Sequence, residues 1–501
     1  MLRYLAIIAL GVAGFIRSPF FPQELTTVPA HELFYAALGA AQLMLALYFM
    51  WQPKQRIAWI GVLLSGASVT VAAFSWLIDV PFTNTSATDY VVIALVADMV
   101  AFAALLFYVE KTRWFGVVGA FAFGCVIWGT AKVAEPHLPD LAHNVVDQFE
   151  VFDQIAMLNA TDYAWNLPPG FPVPYVPEDN PMTEAKVELG RYLFYDTHLS
   201  GNGTMSCSSC HLQALAFTDG LNVPIGSTGE AHVRNSQTLT NAAYNATYTW
   251  GNPVLTEVEQ QIVIPMFGEF PVEMGITNNE DVVLNRLADE ALYQQLFATA
   301  FPDEDEPINF HNVVLALSSF VRTLVSGNSA YDRFVYQGDR TALSESALRG
   351  MDLFLSEKFE CHHCHGGFNF TLSTLHANTT FPERPFFNTG LYNVDGLGAY
   401  PRGNTGIFEI TGNPDDMGRF RPPTLRNIEL TAPYMHDGSI ATLEEVIQFY
   451  ASGGQENPYK SSLVPGFEIT EQEQEDLINF LLSLTDETFI TDPDLSNPFQ
   501  E

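Results

Sequence analysis

Four of the five cysteines in this 501-residue chain fall into two copies of a single pattern, in which two cysteines are separated by two residues and followed directly by a histidine. The first copy is residues 207–211, CSSCH, and the second is residues 361–365, CHHCH. This pattern is typical of covalent c-type haem attachment, since the thiols can bond the haem vinyl groups while the histidine binds the iron. The sequence therefore predicts two c-type haems, with attachment cysteines and iron ligands at Cys207, Cys210 and His211 and at Cys361, Cys364 and His365.

Two other chemistries are open to paired cysteines. They could supply a four-thiolate zinc site, or they could form disulfides in a domain outside the cytoplasm. A zinc site needs no histidine directly after each pair, and its pairs normally lie much closer in sequence than residues 207 and 361. Haem attachment is therefore favoured. His362 and His363, between the second pair of thiols, are expected to be exposed side chains and not ligands.

The formal net charge of −35 is distributed unevenly along the chain. Residues 1–136 contain seven basic and seven acidic residues, so the remaining fifteen basic and fifty acidic residues carry the whole imbalance. Such an acidic surface repels phosphates, which excludes a nucleic-acid-binding protein, and it favours a partner with a basic face. The aromatic content of 13% excludes a disordered acidic tail, because it can support a large core.

The first quarter of the chain contains apolar runs of about the twenty residues that a helix needs to cross a bilayer. A shorter run, residues 4–16, is interpreted as an uncleaved first span because no small-residue cleavage pattern follows it. The sequence thus predicts a bundle of about five transmembrane spans. The four longer runs are His31 to Trp51, Ile57 to Ile78, Val91 to Val109 and Trp114 to Ala134.

The loops between these runs predict the orientation of the bundle. Lys54 and Arg56 lie between the second and third spans, and Lys111 and Arg113 lie between the fourth and fifth, whereas residues 79–90 contain no lysine or arginine. By the positive-inside rule, the N-terminus is cytoplasmic and everything after the last span is outside. We expect a multi-pass protein of the bacterial inner membrane whose C-terminal catalytic domain lies in the periplasm.

The rest of the chain is expected to be mainly α-helical and to form two cytochrome c-like haem lobes. Capping boxes at Thr442 and Thr470 predict the starts of two helices. The first of these helices directs Tyr450 inward, either as a core aromatic or as a ligand, and spacing does not separate the two. The predicted domains are a transmembrane bundle at 1–134, a Pro-rich periplasmic linker at 135–182, a first haem lobe at 183–335, a second haem lobe at 336–490 and a tail at 491–501.

Five strings surround the two motifs: residues 189–196 (LGRYLFYD), 234–239 (RNSQTL), 271–275 (PVEMG), 423–427 (PTLRN) and 431–438 (TAPYMHDG). These strings resemble the di-haem cytochrome c peroxidases and their MauG relatives, and the likeness covers about residues 181–484. Two further strings, residues 250–253 (WGNP) and 364–370 (CHGGFNF), are most similar to the MbnH branch, whose members act beside copper-binding partner proteins.

The resemblance implies the axial ligands of both irons. In the peroxidases the second haem is also bound by a methionine, and in MauG-like enzymes a tyrosine stands at that position, which Tyr450 occupies here. A thioether favours ferrous iron, whereas a phenolate favours ferric and higher states. The first haem would be bound through His211 alone, because the position of the distal histidine in the peroxidases corresponds to Ser227, and His232 is out of register.

The resemblance also assigns catalytic roles around the first haem. Glu273 matches the carboxylate that transfers protons during peroxide cleavage, a general acid-base task. Gln261 matches a distal amide, with Gln260 as an alternative because the spacing differs by one residue. Trp250 matches the indole between the two haems, and it is the only tryptophan in the predicted catalytic domain.

Two further family features concern a metal ion and a surface residue. Asn235 with the backbone of Thr431 and Pro433 would form the calcium site between the haems, an oxygen-only set suited to that ion. MauG-like enzymes that oxidise a bound protein carry a surface tryptophan two residues before the first cysteine of the second motif. Phe359 stands there, and it is much harder to oxidise than tryptophan.

The resemblance implies an oxidoreductase that uses hydrogen peroxide at the first haem to form a high-valent, bis-ferryl-type state. This state would oxidise a residue of a periplasmic partner protein, with tryptophan in a copper-binding protein as the implied target. One alternative is a di-haem peroxidase that takes electrons from a small redox protein. A second is an electron-transfer subunit in which the membrane spans bind quinol and the haems relay its electrons.

Overall fold

α-Helices joined by long loops and short 3₁₀ turns make up the described structure. The computed structural model describes residue 152 and residues 154–499. Extended structure in this part of the chain is limited to isolated bridges. The helices are α1 (Glu184–Tyr195), α2 (Val258–Phe267), α3 (Glu280–Asp289), α4 (Ala291–Ala300), α5 (Phe310–Thr323), α6 (Ala330–Tyr336), α7 (Glu345–Phe354), α8 (His362–His365), α9 (Phe408–Thr411), α10 (Leu443–Ala451), α11 (Glu471–Leu482) and α12 (Glu487–Ile490).

The mainly α-helical class that the sequence predicts is confirmed for these residues. The predicted membrane bundle, residues 1–134, lies outside the described residues, as does the start of the predicted linker. Within residues 154–499, no helix has both the length and the hydrophobicity that crossing a bilayer requires. The membrane anchor and its orientation therefore stay predictions.

Helices α1 and α5 cross in direct backbone contact at the centre of the first haem region. A β-carbon on Gly190 of α1 would lie 2.0 Å from the carbonyl oxygen of Ala316 on α5, so only glycine permits this approach. Leu189, Leu193 and Phe320 are fully buried around the crossing. This packed pair supports the first haem motif, since Cys207 packs against the hydrophobic cluster around it.

Helices α7 and α11 also cross in direct backbone contact, in the second haem region. A β-carbon on Gly350 of α7 would lie 1.9 Å from the carbonyl oxygen of Asp476 on α11. Phe354 and Phe480 are buried at this crossing, with ring centroids 5.2 Å apart. Before each haem motif, one helix thus packs closely against a second helix at a glycine. This close packing supports the motif that follows.

Both helices predicted from capping boxes are confirmed. Thr442 accepts a hydrogen bond from the Glu445 amide at the start of α10, and Thr470 accepts one from the Glu473 amide at the start of α11. In each case the glutamate side chain also bonds back to the cap, which satisfies amides that a helix start would otherwise leave unpaired. The apolar face of α11 is buried at Leu477, Phe480 and Leu481, and Leu484, just after the helix, is buried with it.

The described part of the predicted linker, residues 154–182, packs against both haem regions. Ile155 is buried in the core around α1 and α5. Phe171 packs edge-on against Tyr244 and Phe368, with ring centroids 6.1 and 5.1 Å away. This segment therefore contributes to the core beside the sites, while the predicted domain boundaries remain predictions.

A completely buried ion pair ties α6 to the loop before α10. Arg426 donates to both carboxylate oxygens of Asp332, at 2.8 and 2.9 Å, and neither side chain is accessible to solvent. Asp332 also accepts from the Ser329 amide, and Arg426 donates to the Phe368 carbonyl oxygen. Because both partners are fully hydrogen-bonded, the cost of burying the two charges is offset.

Candidate functional site

The first haem motif begins in a short 3₁₀ turn, Cys207–Ser209, and places its histidine for metal binding. The His211 Nδ1 atom lies 2.8 Å from the carbonyl oxygen of Phe217, so it must be the protonated nitrogen and the donor. This bond orients the ring and leaves Nε2 as the free ligand atom. Burial lowers the pKa of His211, which favours the neutral imidazole that binds iron.

The second motif forms the short helix α8 and repeats this arrangement. The His365 Nδ1 atom lies 3.0 Å from the Pro423 carbonyl oxygen and 3.2 Å from that of Phe370, so Nε2 is again free. Burial lowers the pKa of His365 to about 4. All four motif cysteines are free thiols, and burial raises the pKa of each to about 12.

A cavity of about 240 Å³ lies against the second motif. Cys361, Cys364 and His365 line it, and Tyr450 reaches it from α10. The free thiols, the oriented imidazole and the apolar wall fit a covalently attached, flat and largely apolar haem. The apolar wall consists of Phe354, Phe359, Leu425, Leu443, Val446, Ile447, Phe467, Leu477 and Leu481.

Tyr450 therefore points inward, as the helical periodicity predicts. Burial raises the pKa of its hydroxyl, and the nearby Cys364 and Cys361 thiols raise it further. Among residues 154–499, no group makes a hydrogen bond to this hydroxyl. The hydroxyl oxygen is therefore available to a group bound in the cavity that Tyr450 lines. The ligand role itself remains a prediction.

Glu273 lies close to the first motif. Its negative charge raises the pKa of both Cys207 and Cys210, and the neighbouring Met274 amide donates to the Pro265 carbonyl oxygen of α2 at 2.9 Å. Burial raises the pKa of Glu273 to about 7, although 37% of its side-chain surface is still accessible. A carboxyl group with this pKa can both accept and donate a proton near neutral pH.

The two candidate amides on α2 have different environments. The exposed Gln260 accepts from the Thr256 amide at 2.9 Å and so caps the helix start. The Gln261 Oε1 atom is buried and has no partner within the described part of the chain. An unpaired buried amide is what a distal residue would present to a bound ligand, so the structure favours Gln261 over Gln260 for that predicted role.

His232 makes a contact with Glu273 that its place in the sequence does not indicate. Its Nδ1 atom lies 3.6 Å from the Glu273 Oε1 atom, and only 13% of its side chain is accessible. Ser227, at the family position, instead donates its backbone amide to the Glu273 carbonyl oxygen at 2.8 Å. The loop that carries both residues is closed by a bridge between Ile225 and Ala231, a pairing that no local sequence signal indicates.

Trp250 and the predicted calcium ligands also line the cavity of the second motif. The indole nitrogen of Trp250 donates to the backbone oxygen of Asn235 at 2.8 Å, which fixes the ring. The Asn235 side-chain amide donates to the Leu221 carbonyl oxygen at 2.7 Å, which leaves its Oδ1 atom as an acceptor. Asn235, Thr431 and Pro433 thus line one cavity, while calcium binding stays a prediction.

Phe359 is buried, with only 3% of its surface accessible. Its ring packs edge-on against Phe467 at a centroid distance of 4.7 Å, and the Lys358 ammonium lies 4.8 Å from its centroid. The residue that replaces the expected surface tryptophan is therefore part of the cavity wall.

Comparison with known proteins identifies the family. Residues 184–341 match the family described as di-haem cytochrome c peroxidase. The chain is 37% identical over 348 residues to cytochrome-c peroxidase IdrP1 of Denitromonas iodatirespirans, an alignment that covers 66% of this chain and 89% of that protein. The chain belongs to the di-haem cytochrome c peroxidase family. Its members are oxidoreductases that bind two c-type haems, which confirms the enzyme class and the two-haem prediction.

Two further relatives come from the MauG side of the family. The methylamine utilization protein MauG of Methylorubrum extorquens is 35% identical over 308 residues, 62% of this chain and 80% of that protein. A crystal structure of a MauG-like protein associated with microbial copper homeostasis is 49% identical, with a TM-score of 0.66. It covers 68% of this chain and 100% of that one.

Proposed function

We propose that this protein is a MauG-like oxidase of the MbnH branch, which uses hydrogen peroxide to oxidise a tryptophan of a periplasmic copper-binding partner. The observation that carries the proposal is Tyr450, which lines the cavity of the second haem motif where the peroxidases have methionine. The 49% identity to a MauG-like protein associated with copper homeostasis supports the choice of branch and partner.

The residues that would hold the two haems are the four motif cysteines, His211 and His365 through their Nε2 atoms, and Tyr450. When bound, the haems supply the iron that reacts with peroxide and the sites that hold its oxidising equivalents. Tyr450 would be a ligand of the second haem iron, where an anionic oxygen favours the oxidised state. This ligand favours an oxidase over a peroxidase whose second haem accepts electrons from a cytochrome.

Glu273 would transfer the protons that peroxide cleavage requires. Its carboxylate takes the proton from one peroxide oxygen and returns a proton to the other, which becomes the leaving water. A pKa of about 7 keeps both protonation states populated at neutral pH. Gln261 would orient the peroxide through its otherwise unpaired amide. The imidazole of His232 faces the same carboxylate and limits its freedom.

Trp250 would connect the two haem regions. Its indole is held by the bond to Asn235 and faces the cavity that contains the second motif. A fixed aromatic ring at this position shortens the distance over which charge must move. Calcium bound to Asn235, Thr431 and Pro433 would hold the same wall in place, since it would join the Asn235 loop to the loop before α10.

The test adds one equivalent of hydrogen peroxide to the haem-loaded ferric protein and records absorption spectra of both haems. We expect a long-lived spectral change at both haems in the wild type, its loss in Glu273→Gln, and an altered second-haem signal in Tyr450→Met. Glu269→Gln, at an exposed carboxylate nearby, is the matched control. A wild-type spectrum that does not respond at either haem ends the proposal.

A second experiment tests the protein substrate. The haem-loaded protein and a candidate copper-binding partner are incubated with peroxide, and the tryptophan-containing peptides of the partner are examined by mass spectrometry. We expect a changed tryptophan mass that requires both peroxide and the active protein. Partner peptides that remain unmodified, with peroxide still consumed, would contradict the tryptophan oxidation.

The identity to cytochrome-c peroxidase IdrP1 favours a second candidate, a peroxidase that takes electrons from a small redox protein. Redox titration separates the two functions. A second haem with a potential close to that of a small cytochrome, together with fast peroxide turnover on the reduced cytochrome, would favour the peroxidase.

We also propose that residues 1–134 anchor the protein in the bacterial inner membrane and that the haem region faces the periplasm. Covalent haem attachment outside the cytoplasm agrees with this placement. Alkaline extraction of membranes tests the anchor, and protease digestion of spheroplasts tests the orientation. Release of the full-length protein by alkaline carbonate would contradict the membrane anchor. Protection of the haem region from protease in spheroplasts would contradict the periplasmic orientation.

A further inference from the structure

A cluster of histidine and glutamate side chains lies on the surface beside the second haem motif. One ligand atom from each of Glu357, His362 and His363 lies within 4.8 Å of the other two. The Glu360 Oε2 atom lies 3.1 Å from the His363 Nε2 atom and borders this group of three. We propose that Glu357, His362 and His363 form a binding site for a divalent transition-metal ion, Cu²⁺ above all, with the Glu360 carboxylate at its edge.

The convergence of the two histidines is the first argument. Consecutive residues of a helix point about 100° apart and do not normally face each other. Here both Nε2 atoms reach the one carboxylate of Glu357, at 3.8 Å for His362 and 3.3 Å for His363. The two imidazole rings lie side by side, with centroids 4.1 Å apart. The local backbone therefore directs both rings to one point.

The distances between the ligand atoms fit a bound ion. Nitrogen and carboxylate oxygen ligands lie about 2.0–2.2 Å from Zn²⁺, so neighbouring ligands around such an ion are roughly 3.0–3.5 Å apart. The pair of His363 and Glu357 measures 3.3 Å, already within this range. The pair of His362 and Glu357, at 3.8 Å, needs to close by only a few tenths of an ångström.

The surroundings keep these groups available. The Nδ1 atom of His362 is buried without a hydrogen-bond partner in the described structure, so Nε2 is the ring nitrogen that faces the cluster. Lys358, the cation next in sequence, pairs with Glu473 at 2.5 Å instead of with Glu357. The Glu357 carboxylate is 79% accessible, which leaves an open path for an ion from solvent.

The ligand set selects the class of ion. Two imidazoles and a carboxylate suit Cu²⁺ or Zn²⁺, whereas Ca²⁺ and Mg²⁺ prefer oxygen ligands alone. Among the divalent ions of the first transition row, Cu²⁺ binds such sites most tightly. The Glu357 carboxylate and the nearby Glu360 carboxylate also balance the charge of a divalent ion. The site is separate from the haem ligands, although His362 and His363 lie between the two cysteines of the motif. Their side chains are 26% and 34% accessible and are therefore partly buried, not exposed as the sequence predicted, and the proposal replaces the expectation that they are not ligands.

The experiment titrates Cu²⁺ into the untagged, haem-loaded full chain at pH 7, with glycine as a competing chelator. Calorimetry gives stoichiometry and affinity, and electron paramagnetic resonance detects nitrogen ligands. We expect one Cu²⁺ per chain with two nitrogen ligands, and a loss of affinity of more than about tenfold in His363→Ala. His198→Ala is the matched control, since this histidine is also exposed and lies 3.3 Å from a single carboxylate, Asp196.

Substitution inside the motif could disturb haem attachment, so Glu357→Gln and Glu360→Gln provide a second pair of variants outside it. Haem absorbance and the melting temperature show whether each variant is intact. Weaker Cu²⁺ binding in these intact variants supports the site. Equal Cu²⁺ affinity in the wild type, Glu357→Gln and His363→Ala, or no binding of Cu²⁺ to the wild type at all, would overturn it. Neither result depends on the reaction with peroxide.

Discussion

The proton-transfer role of Glu273 makes a quantitative prediction about pH. Burial raises the pKa of this carboxyl group to about 7. The proposed base is the ionised form, which would make up about one-tenth of the molecules at pH 6 and about nine-tenths at pH 8. The rate constant for the reaction of peroxide with the ferric protein should therefore rise about tenfold between these pH values and level off above pH 8.

The sign and the position of this step both follow from the structure. A raised pKa moves ionisation upward, so the activity is lost as the pH falls through about 7. A glutamate with its ordinary pKa of about 4.3 would be almost fully ionised at both pH 6 and pH 8, and the rate would hardly change. Burial lowers the pKa of the facing His232, so that side chain is neutral over most of the step.

Stopped-flow absorption under excess peroxide measures this rate constant on the haem-loaded protein. Glu273→Gln should remove the pH step and lower the rate constant by about 10²–10⁴, the usual contribution of a positioned acid-base group. Glu269→Gln should keep both the step and the rate. A pH-independent rate in the wild type, or a step that persists in Glu273→Gln, would refute the role of this carboxylate.

Three further predictions concern the second haem, calcium and stability. Tyr450→Met should raise the reduction potential of the second haem by on the order of 100 mV, a fraction of the roughly 0.8 V range that axial ligands span, as measured by spectroelectrochemical titration. An unchanged potential would exclude Tyr450 as a ligand. Chelation of calcium should lower the melting temperature of the wild type but not that of Asn235→Ala, and equal shifts would place the ion elsewhere. Asp332→Ala leaves the Arg426 charge buried and should cost about 3–5 kcal/mol of unfolding free energy in chemical denaturation. Lys358→Ala breaks the pair with Glu473, whose side chains are 46% and 25% accessible, and should cost less than about 1 kcal/mol, so similar costs would contradict the reasoning.

Local signals explain which parts of this structure could be predicted from sequence. The cysteines of a haem motif and the two residues of a capping box each stand three positions apart, so both patterns can be found without knowledge of the fold. The choice between Gln260 and Gln261 could not be made in this way. Neighbouring helical residues point about 100° apart, and only the orientation of α2 in the structure shows which amide is buried.

The contact between His232 and Glu273 depends on tertiary packing. The loop of residues 224–232 can lie on the PVEMG turn because Gly226 has no side chain, since a β-carbon there would be 1.8 Å from the Val272 carbonyl oxygen. The sequence contains this glycine, but nothing local identifies the backbone that it must contact. The convergence of His362 and His363 on Glu357 could not be predicted from the sequence either, because helical geometry alone predicts that the two side chains diverge.

The position of Tyr450 follows from the start of its helix. The Tyr450→Met experiment therefore tests the side chain and not the orientation of the helix. The capping box at Thr442 sets the first turn of α10, so Leu443, Val446, Ile447 and Tyr450 fall on one side and line the cavity together. Replacement of one of these residues does not alter the cap or the rotation of the helix. Methionine at position 450 would therefore occupy the same wall with a thioether in place of a phenol. A change in the potential of the second haem would then report the chemistry of the ligand atom and not a rearrangement of the fold.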